Sequence, residues 1–299
     1  MRTREEKIKA DSRNSVINRR ENSPGFSQLV LSVFHGADLL GRGFEEENFC
    51  VVRAGEIDLG FDVRKLRLLP GRFDGIIAGS PCQEYSLLNR NRRHAPQTIC
   101  DCYGCQMMSE YARLVAEGKP LWFLHENVPT VPDLKIEGYT IQRFNLNARE
   151  CGVQQNRLRS FQFGSADGRQ LVLHRDESQT DFQRCVTPSE ATKGKSRRRL
   201  TKFYELQGVN EDIQFPYFKR SEIYKVIGQG VPVPMARLNA RAIRESATAD
   251  FLSTSHKLCI CGCGRIVTGW KKQANAACRK RMQMKRERAL VNESGKITI

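Results

Sequence analysis

Phe73-Asp74-Gly75-Ile76-Ile77-Ala78-Gly79-Ser80-Pro81-Cys82-Gln83-Glu84-Tyr85-Ser86 is an apolar, strand-like run that ends in a proline-stiffened turn carrying a cysteine. In a parallel α/β sheet, ligands and chemistry gather where strands end. A thiol in that place is a candidate nucleophile, because thiolate is strongly nucleophilic near neutral pH. Taken alone, the same residue reads equally well as a small buried cysteine beside a turn.

Outward from this stretch, apolar runs recur in a βαβα rhythm: Leu29–Phe34, Cys50–Val52, Gly75–Ala78, Leu121–Leu124 and Ser160–Phe163. A helical pattern from Met107 to Glu117 falls between two of them. That alternation predicts an α/β fold with a mostly parallel, doubly wound sheet. The polar, aperiodic residues 1–25 read as a mobile arm, and 26–164 as the main domain. A polar stretch over 165–199, ending in Lys195-Ser196-Arg197-Arg198-Arg199, reads as a short recognition insertion. Residues 200–247 return to the main domain, and 248–299 form a linker with a cysteine-rich, basic terminal module.

The 299 residues include 15 Phe, enough for a substantial core, and carry a formal charge of +16. From His256 to Arg288 there are ten Lys/Arg against one acid, Glu287, so +9 of that charge is concentrated in the tail. Such segregation points to a polyanion, with phosphates the simplest partner. The tail has few large apolar residues to insert into a membrane. No apolar run approaches the roughly 18 residues of a membrane span, and the N-terminus is charged throughout. The expectation is a cytoplasmic, monomeric protein whose 11 cysteines are thiols or metal ligands.

Three further motifs accompany Cys82. Glu126-Asn127-Val128-Pro129 follows the apolar run 121–124, and partial burial there raises a carboxyl pKa toward acid–base use. Gln155-Asn156-Arg157-Leu158-Arg159 offers two guanidiniums at alternate positions, which on an extended segment share one face and aim at one anionic or carbonyl-rich ligand. Ile227-Gly228-Gln229-Gly230-Val231-Pro232-Val233-Pro234 is a turn opening a helix toward Arg244. Each motif singly also reads as ordinary surface.

In their order and spacing, the motifs resemble those of the DNA cytosine-5 methyltransferase family, most closely its small phage and prophage members. The likeness runs from Leu29 to Arg244 on Pro81-Cys82-Gln83 with Ser86, Glu126-Asn127-Val128, Gln155-x-Arg157-x-Arg159, Leu206-Gln207-Gly208 and Ile227-Gly228-x-x-Val231-Pro232. The resemblance implies a Rossmann-like, S-adenosylmethionine-dependent enzyme in a bacterial or phage-infected cell, acting on double-stranded DNA in DNA methylation or restriction-modification. It implies that Cys82 adds to carbon 6 of a flipped cytosine while Glu126 stabilises ring nitrogen 3. Arg159 would then hold the base oxygen, and Arg157 a phosphate or the cysteine loop. For the cofactor it implies Phe34, Gly36, Asp38, Glu56, Asp62, Pro81, Gln229 and Val231. Asp38-Leu39 replaces the common Gly-Gly, and Gln229-Gly230 the more usual Asn and small residue, so a modified S-adenosylmethionine also suits as donor. An RNA substrate is compatible with the same motifs, and so is an idle DNA-binding protein with a zinc module.

Gln83 and Ser86 are candidates to fill the gap left by a flipped base or to hold the displaced backbone. Arg90, Arg92 and Arg93 form a basic strip for phosphates, and Arg197 and Arg198 join them in the insertion. An insertion of roughly 35 residues suits a target of about two to four base pairs, since each base pair needs one or two reading side chains. Cys259, Cys261, Cys263 and Cys278, with His256 as substitute, make a candidate structural zinc site in a segment too small for its own core. The second cluster, Cys100, Cys102 and Cys105 with His94 upstream, reads instead as a mobile loop with incidental thiols.

Overall fold

The computed structural model describes residues 28–54, 62–86, 100–176, 181–194, 197–209, 218–247, 259–261, 265, 267 and 271–284. The expected N-terminal arm and the 248–256 linker lie outside the described residues, as do Glu56, Arg90, Arg92, Arg93 and Cys263.

Six strands form the central sheet: β1 (Leu29–Val33), β2 (Cys50–Ala54), β3 (Gly75–Gly79), β4 (Trp122–Asn127), β5 (Thr140–Asn147) and β7 (Leu158–Ser165). Their spatial order is β2-β1-β3-β4-β7-β5. β1, β2, β3 and β4 pair in parallel, and β7 runs antiparallel to both β4 and β5. Five strands therefore share one direction. The chain leaves β1 outward for β2 and then crosses back to β3, so the order reverses between β1 and β3. Such a reversal opens a crevice at the carboxyl ends of the strands.

Alternating side chains in β1, β3 and β4 feed two cores. Val30, Ile77, Trp122 and Leu124 face one side, where they meet Leu40 and Phe44 of helix α1 (Leu39–Glu45). Phe161 and Phe163 of β7 join them. Leu31, Ile76, Ala78 and Phe123 face the other side and meet Met107, Tyr111, Leu114 and Val115 of α2 (Tyr103–Gly118). Each of these large buried side chains contributes about 1.5–3 kcal/mol. The sheet is thus covered by helices on both faces, as the alternating pattern predicts.

Strand β5 has no counterpart among the apolar runs. Its inward position 142 holds a buried Gln, which interrupts the alternation. The Gln142 amide donates to the carbonyl of Leu171 and accepts from the amide of Leu171, 3.1 and 2.7 Å away, so the side chain acts as a further strand partner. Leu171 and Leu173 are consequently part of the main core. The segment beginning at 165 is therefore not insertion from its outset, and only its later part departs from the sheet.

That later part builds a smaller lobe. The short pair β6 (Gln155–Asn156) and β8 (Gln183–Arg184) leads to a 3-10 turn at Pro188–Thr192, then α3 (Leu200–Gln207) and α4 (Arg220–Gln229). Val186, Phe203, Leu206, Tyr224 and Ile227 form its core, with Leu39 of α1 and Val233 joining the two lobes. The last main-domain helix, α5 (Val233–Ser246), returns to pack on α1. A Cβ at Gly43 would lie 2.4 Å from that of Ala236, so only glycine permits this approach. Arg241 and Arg244 fasten α5 to the buried Glu47 at 2.7 and 2.8 Å. Among the described residues, no helix is long and apolar enough to cross a membrane.

Candidate active site

A cavity of about 320 Å³ opens at the crevice between β1, β3 and β4. Its walls include Phe34 to Leu40 after β1, Asp62 to Arg64, Gly79 to Gln83 after β3, Glu126 of β4, Arg159 of β7, and Gln229 to Val231. Residues that the sequence spreads over 200 positions are brought to one void.

Cys82 sits on a tight turn, with the amides of Tyr85 and Ser86 both donating to its carbonyl at 3.0 Å. Neighbouring side chains hold the turn from below. Asn127 donates to the carbonyl of Ser80 at 3.0 Å, and Ser80 Oγ lies 2.8 Å from Nε2 of the fully buried His125. Burial depresses the His125 pKa to about 3, so the ring is a neutral partner at physiological pH. Thr130 donates its hydroxyl to the Tyr85 carbonyl, and the Tyr85 hydroxyl reaches Cys105 Sγ at 3.1 Å. Of these supports, His125 and Thr130 do not announce themselves in the chain. His125 and Thr130 simply flank the Glu126-Asn127-Val128 motif, and that adjacency is the one signal available.

The electrostatics of Cys82 are opposed. Burial pushes its thiol up, the Glu126 carboxylate adds to that, and the Arg159 and Arg157 guanidiniums pull it down. Glu126 is 8% exposed and forms an ion pair with Arg159, Oε1 to Nε 3.0 Å. Burial raises its carboxyl pKa, with Arg159 opposing. Gly79 lies opposite Glu126 in the β3–β4 register, and a Cβ there would come within 3.1 Å of Glu126 Oε2. The glycine leaves room for the carboxyl to point into the cavity.

Arg157 does not share a target with Arg159. Its side chain is buried, and its guanidinium donates to the carbonyls of Val186, Gly228, Gln229 and Gly230 at 2.9–3.2 Å. The carbonyl-rich partner expected from the sequence is the protein's own backbone, so the expectation of a phosphate or cysteine-loop contact is corrected. Arg157 is a positioning residue that binds the Gln229–Val231 wall to the smaller lobe. Gln155 and Gln207 do the same work beside it. Gln155 reaches Gln207 at 3.1 Å, and Gln207 reaches the Gly230 carbonyl at 3.0 Å.

At the far end of the cavity, Phe34 and Gly36 both adopt positive φ, 53° and 51°, which turns the chain sharply after β1. A left-handed aromatic residue is uncommon and concentrates at ligand-binding turns. Asp38 caps α1 by accepting from the Gly41 amide at 3.0 Å, and it also takes the Ser32 hydroxyl at 2.8 Å and Arg53 Nε at 2.6 Å. Burial pushes its carboxyl up and Arg53 opposes this. Its place opposite Gly-Gly in the family pattern is therefore a helix cap with a cation attached. Asp62 lines the cavity, with its carboxyl held low by Arg64 at 2.8 Å, an exposed pair that a ligand displaces at little cost. Pro81, Gln229 and Val231 complete this end.

Gln83 is exposed at the cavity wall, and Ser86 closes the Cys82 turn. Arg197 stacks over the Tyr224 ring at 5.1 Å. Arg198 turns inward to the buried Glu190 at 2.7 Å and to the Arg184 carbonyl at 2.9 Å, so its expected role toward DNA is corrected to one of holding the smaller lobe together. In the terminal module, Cys259, Cys261 and Cys278 are buried with their sulfurs within 4.8 Å of one another. The Ala274 amide donates to Cys259 Sγ at 3.3 Å, and Arg281 to Cys261 Sγ at 3.5 Å, which suits thiolates. A helix over residues 276–284 carries Cys278 and the basic run beside it. Arg265 docks this module on Glu150 of the main domain.

Comparison with known proteins places these residues in context. A Type II methyltransferase of Neisseria gonorrhoeae, M.NgoPII, is 29% identical over 166 residues, which cover 45% of this chain and 47% of that one. M.FnuDI of Fusobacterium nucleatum is 31% identical over 165 residues, covering 45% and 46%. The chain thus spans about half the length of the curated relatives it matches. Among solved structures, the Entamoeba histolytica methyltransferase EhMeth superposes with a TM-score of 0.55 at 11% identity, covering 76% of this chain and 99% of that one. The S. pombe Dnmt2 methyltransferase gives 0.52 at 11%, covering 73% and 99%. These two likenesses speak for the fold. The C-5 cytosine-specific DNA methylase family model matches residues 44–194, half of the sequence, and its span holds both Cys82 and Glu126: the chain belongs to that family.

Proposed function

We propose that this chain methylates carbon 5 of a cytosine rotated out of duplex DNA, through a covalent adduct with Cys82. One observation carries the reading. A single cavity holds a thiol, a buried carboxyl and a guanidinium at one end, and a sharply turned loop after β1 at the other. S-adenosylmethionine, when bound, supplies the electrophilic methyl group that carbon 5 accepts. The residues fit such a donor: Phe34 and Val231 offer apolar walls, and Asp62 and Gln229 offer polar edges, around a void that suits an adenosyl group. Glu56, expected at its ribose, lies outside the described residues.

Carbon 5 of cytosine is a weak nucleophile until the ring is activated. Cys82 Sγ attacks carbon 6, and the electron pair of the 5,6 double bond moves toward carbon 5. Glu126, its carboxyl pKa raised by burial, delivers a proton to ring nitrogen 3 and so accepts the charge that builds there. Arg159 keeps Glu126 oriented and draws the thiol toward thiolate. After carbon 5 has been alkylated, its proton passes to solvent water, the Cys82 sulfur leaves with the bonding pair as thiolate, and the proton on ring nitrogen 3 returns to Glu126, which restores the aromatic ring. This splits one difficult step into easier ones. None of it fits inside a stacked duplex, so the base is extruded. Gln83, which lines the cavity, would occupy the gap. Cys259, Cys261 and Cys278 would hold a structural zinc ion that fixes the basic helix within its module for contact with phosphates; Cys263, the expected fourth ligand, lies outside the described residues.

The test is a trap. Random-sequence duplexes carrying 5-fluorocytosine in place of cytosine are incubated with the full chain and S-adenosylmethionine. Fluorine cannot leave as the proton does, so an adduct stable in detergent should form, map to Cys82 by peptide mass spectrometry, and vanish in Cys82→Ser. Absence of any adduct, attachment through another cysteine, or trapping by the matching RNA alone would overturn the proposal.

A further inference from the structure

The geometry points to a second metal site, beside the catalytic turn, in which Cys100, Cys102 and Cys105 hold a soft divalent cation of the zinc class. Their three sulfurs lie within 4.8 Å of one another, with Cys100 Sγ 2.9 Å from Cys102 Sγ and 3.4 Å from Cys105 Sγ. Incidental thiols have no reason to point at one place. Under this proposal, a shared ion replaces the sequence reading of a mobile loop with incidental thiols. Cys102-Tyr103-Gly104-Cys105 has the two-residue spacing of a metal knuckle, and Cys100 adds a third donor from just outside it.

Local structure gathers hydrogen-bond donors on Cys105. Helix α2 begins at Tyr103, and the Cys102 side chain at its N-cap makes no capping hydrogen bond to the helix. Cys105 lies in the first turn, where the helix dipole stabilises negative charge. Cys105 Sγ accepts from the Cys100 amide at 3.3 Å and from the Tyr85 hydroxyl at 3.1 Å. Sulfur that gathers N–H and O–H donors is what a metal thiolate requires. A tetrahedral ion with metal–sulfur bonds of about 2.3 Å spreads its sulfurs to roughly 3.8 Å, so loading opens the cluster by less than about 1 Å.

The site's position gives it a consequence. Tyr85 is buried, its hydroxyl rests on Cys105, and its amide closes the turn on the Cys82 carbonyl. An ion here would tie the start of α2 to the turn that presents Cys82 through Tyr85, whereas His125 and Asn127 hold that turn through Ser80. The inference concerns metal binding and stands apart from the methyl-transfer reading.

The test uses the full-length chain carrying Cys259→Ser, Cys261→Ser, Cys263→Ser and Cys278→Ser, so that the terminal module contributes no ion. After reconstitution with zinc and gel filtration, elemental analysis should find about one equivalent per chain. Adding Cys100→Ser, Cys102→Ser and Cys105→Ser should remove it, with circular dichroism confirming that both variants are folded. In case the terminal substitutions unfold the chain, cobalt titration of the unsubstituted protein gives a second reading: thiolate-to-cobalt absorption should fall by at least one third when only 100, 102 and 105 become serine. Zinc content unchanged by those three substitutions, or a disulfide among them in freshly purified protein, would sink the inference.

Discussion

Replacing Arg159 with leucine tests how the buried pair tunes the site. The guanidinium is 3.0 Å from Glu126 Oε1, with side chains 16% and 10% exposed. Removing one member of a buried ion pair leaves the other uncompensated, at about 3–5 kcal/mol. The cavity admits some water to this pair, so about 3 kcal/mol is the expected loss at pH 8. The loss should depend on pH in a definite direction. Burial already raises the Glu126 pKa, and Arg159 restrains that rise. Without Arg159 the folded-state pKa climbs further above its unfolded value. Stability is then retained at low pH, where the carboxyl is protonated in both states, and lost as pH rises toward the new folded-state pKa. Urea denaturation of wild type and Arg159→Leu at pH 5 and pH 8 should therefore show a small deficit at the lower pH and most of the 3 kcal/mol at the higher. Glu126→Gln/Arg159→Leu should abolish the pH dependence of that deficit and recover about half of it or more. An equal deficit at both pH values, or a double variant no more stable than Arg159→Leu at pH 8, would refute the reasoning.

Two other perturbations follow from the same contacts. Arg157→Lys replaces a planar fork reaching four carbonyls with a single ammonium. Stranding buried carbonyls at about 1–3 kcal/mol apiece should lower stability by about 3 kcal/mol, read as a fall in the urea midpoint. A midpoint within error of wild type would remove its positioning role. Gly79→Ala places a methyl 3.1 Å from Glu126 Oε2 and should slow 5-fluorocytosine trapping about tenfold by displacing the carboxyl, with under about 1 kcal/mol of stability lost. An unchanged trapping rate would show that Glu126 does not need that space.

Which parts of this protein are legible in its sequence follows from the range of the forces involved. The runs 29–34, 75–78 and 121–124 predict strands because a buried strand needs consecutive apolar residues, and that requirement is local. Cys82 and Glu126 follow directly on two of those strands, so their convergence at the sheet's carboxyl edge is also within reach. Strand β5 is hidden because its inward Gln142 finds its partner at Leu171, 29 residues later. Arg157 and Arg198 point, on sequence alone, to outside anions, because an arginine in a polar stretch looks the same whether its partner is a phosphate or a buried carbonyl. The Gly230 carbonyl that meets Arg157 lies 73 residues away.

The amino-acid order by itself determined the alternation of strands and helices, the charge gathered in the tail, and which cysteine and glutamate are candidates for nucleophile and acid. Only the folded chain decided which guanidinium enters the cavity, which thiols share a point in space, and where the smaller lobe leaves the main core. Those outcomes depend on side chains meeting across the fold, where desolvation and hydrogen-bond geometry select among partners that linear spacing leaves equivalent.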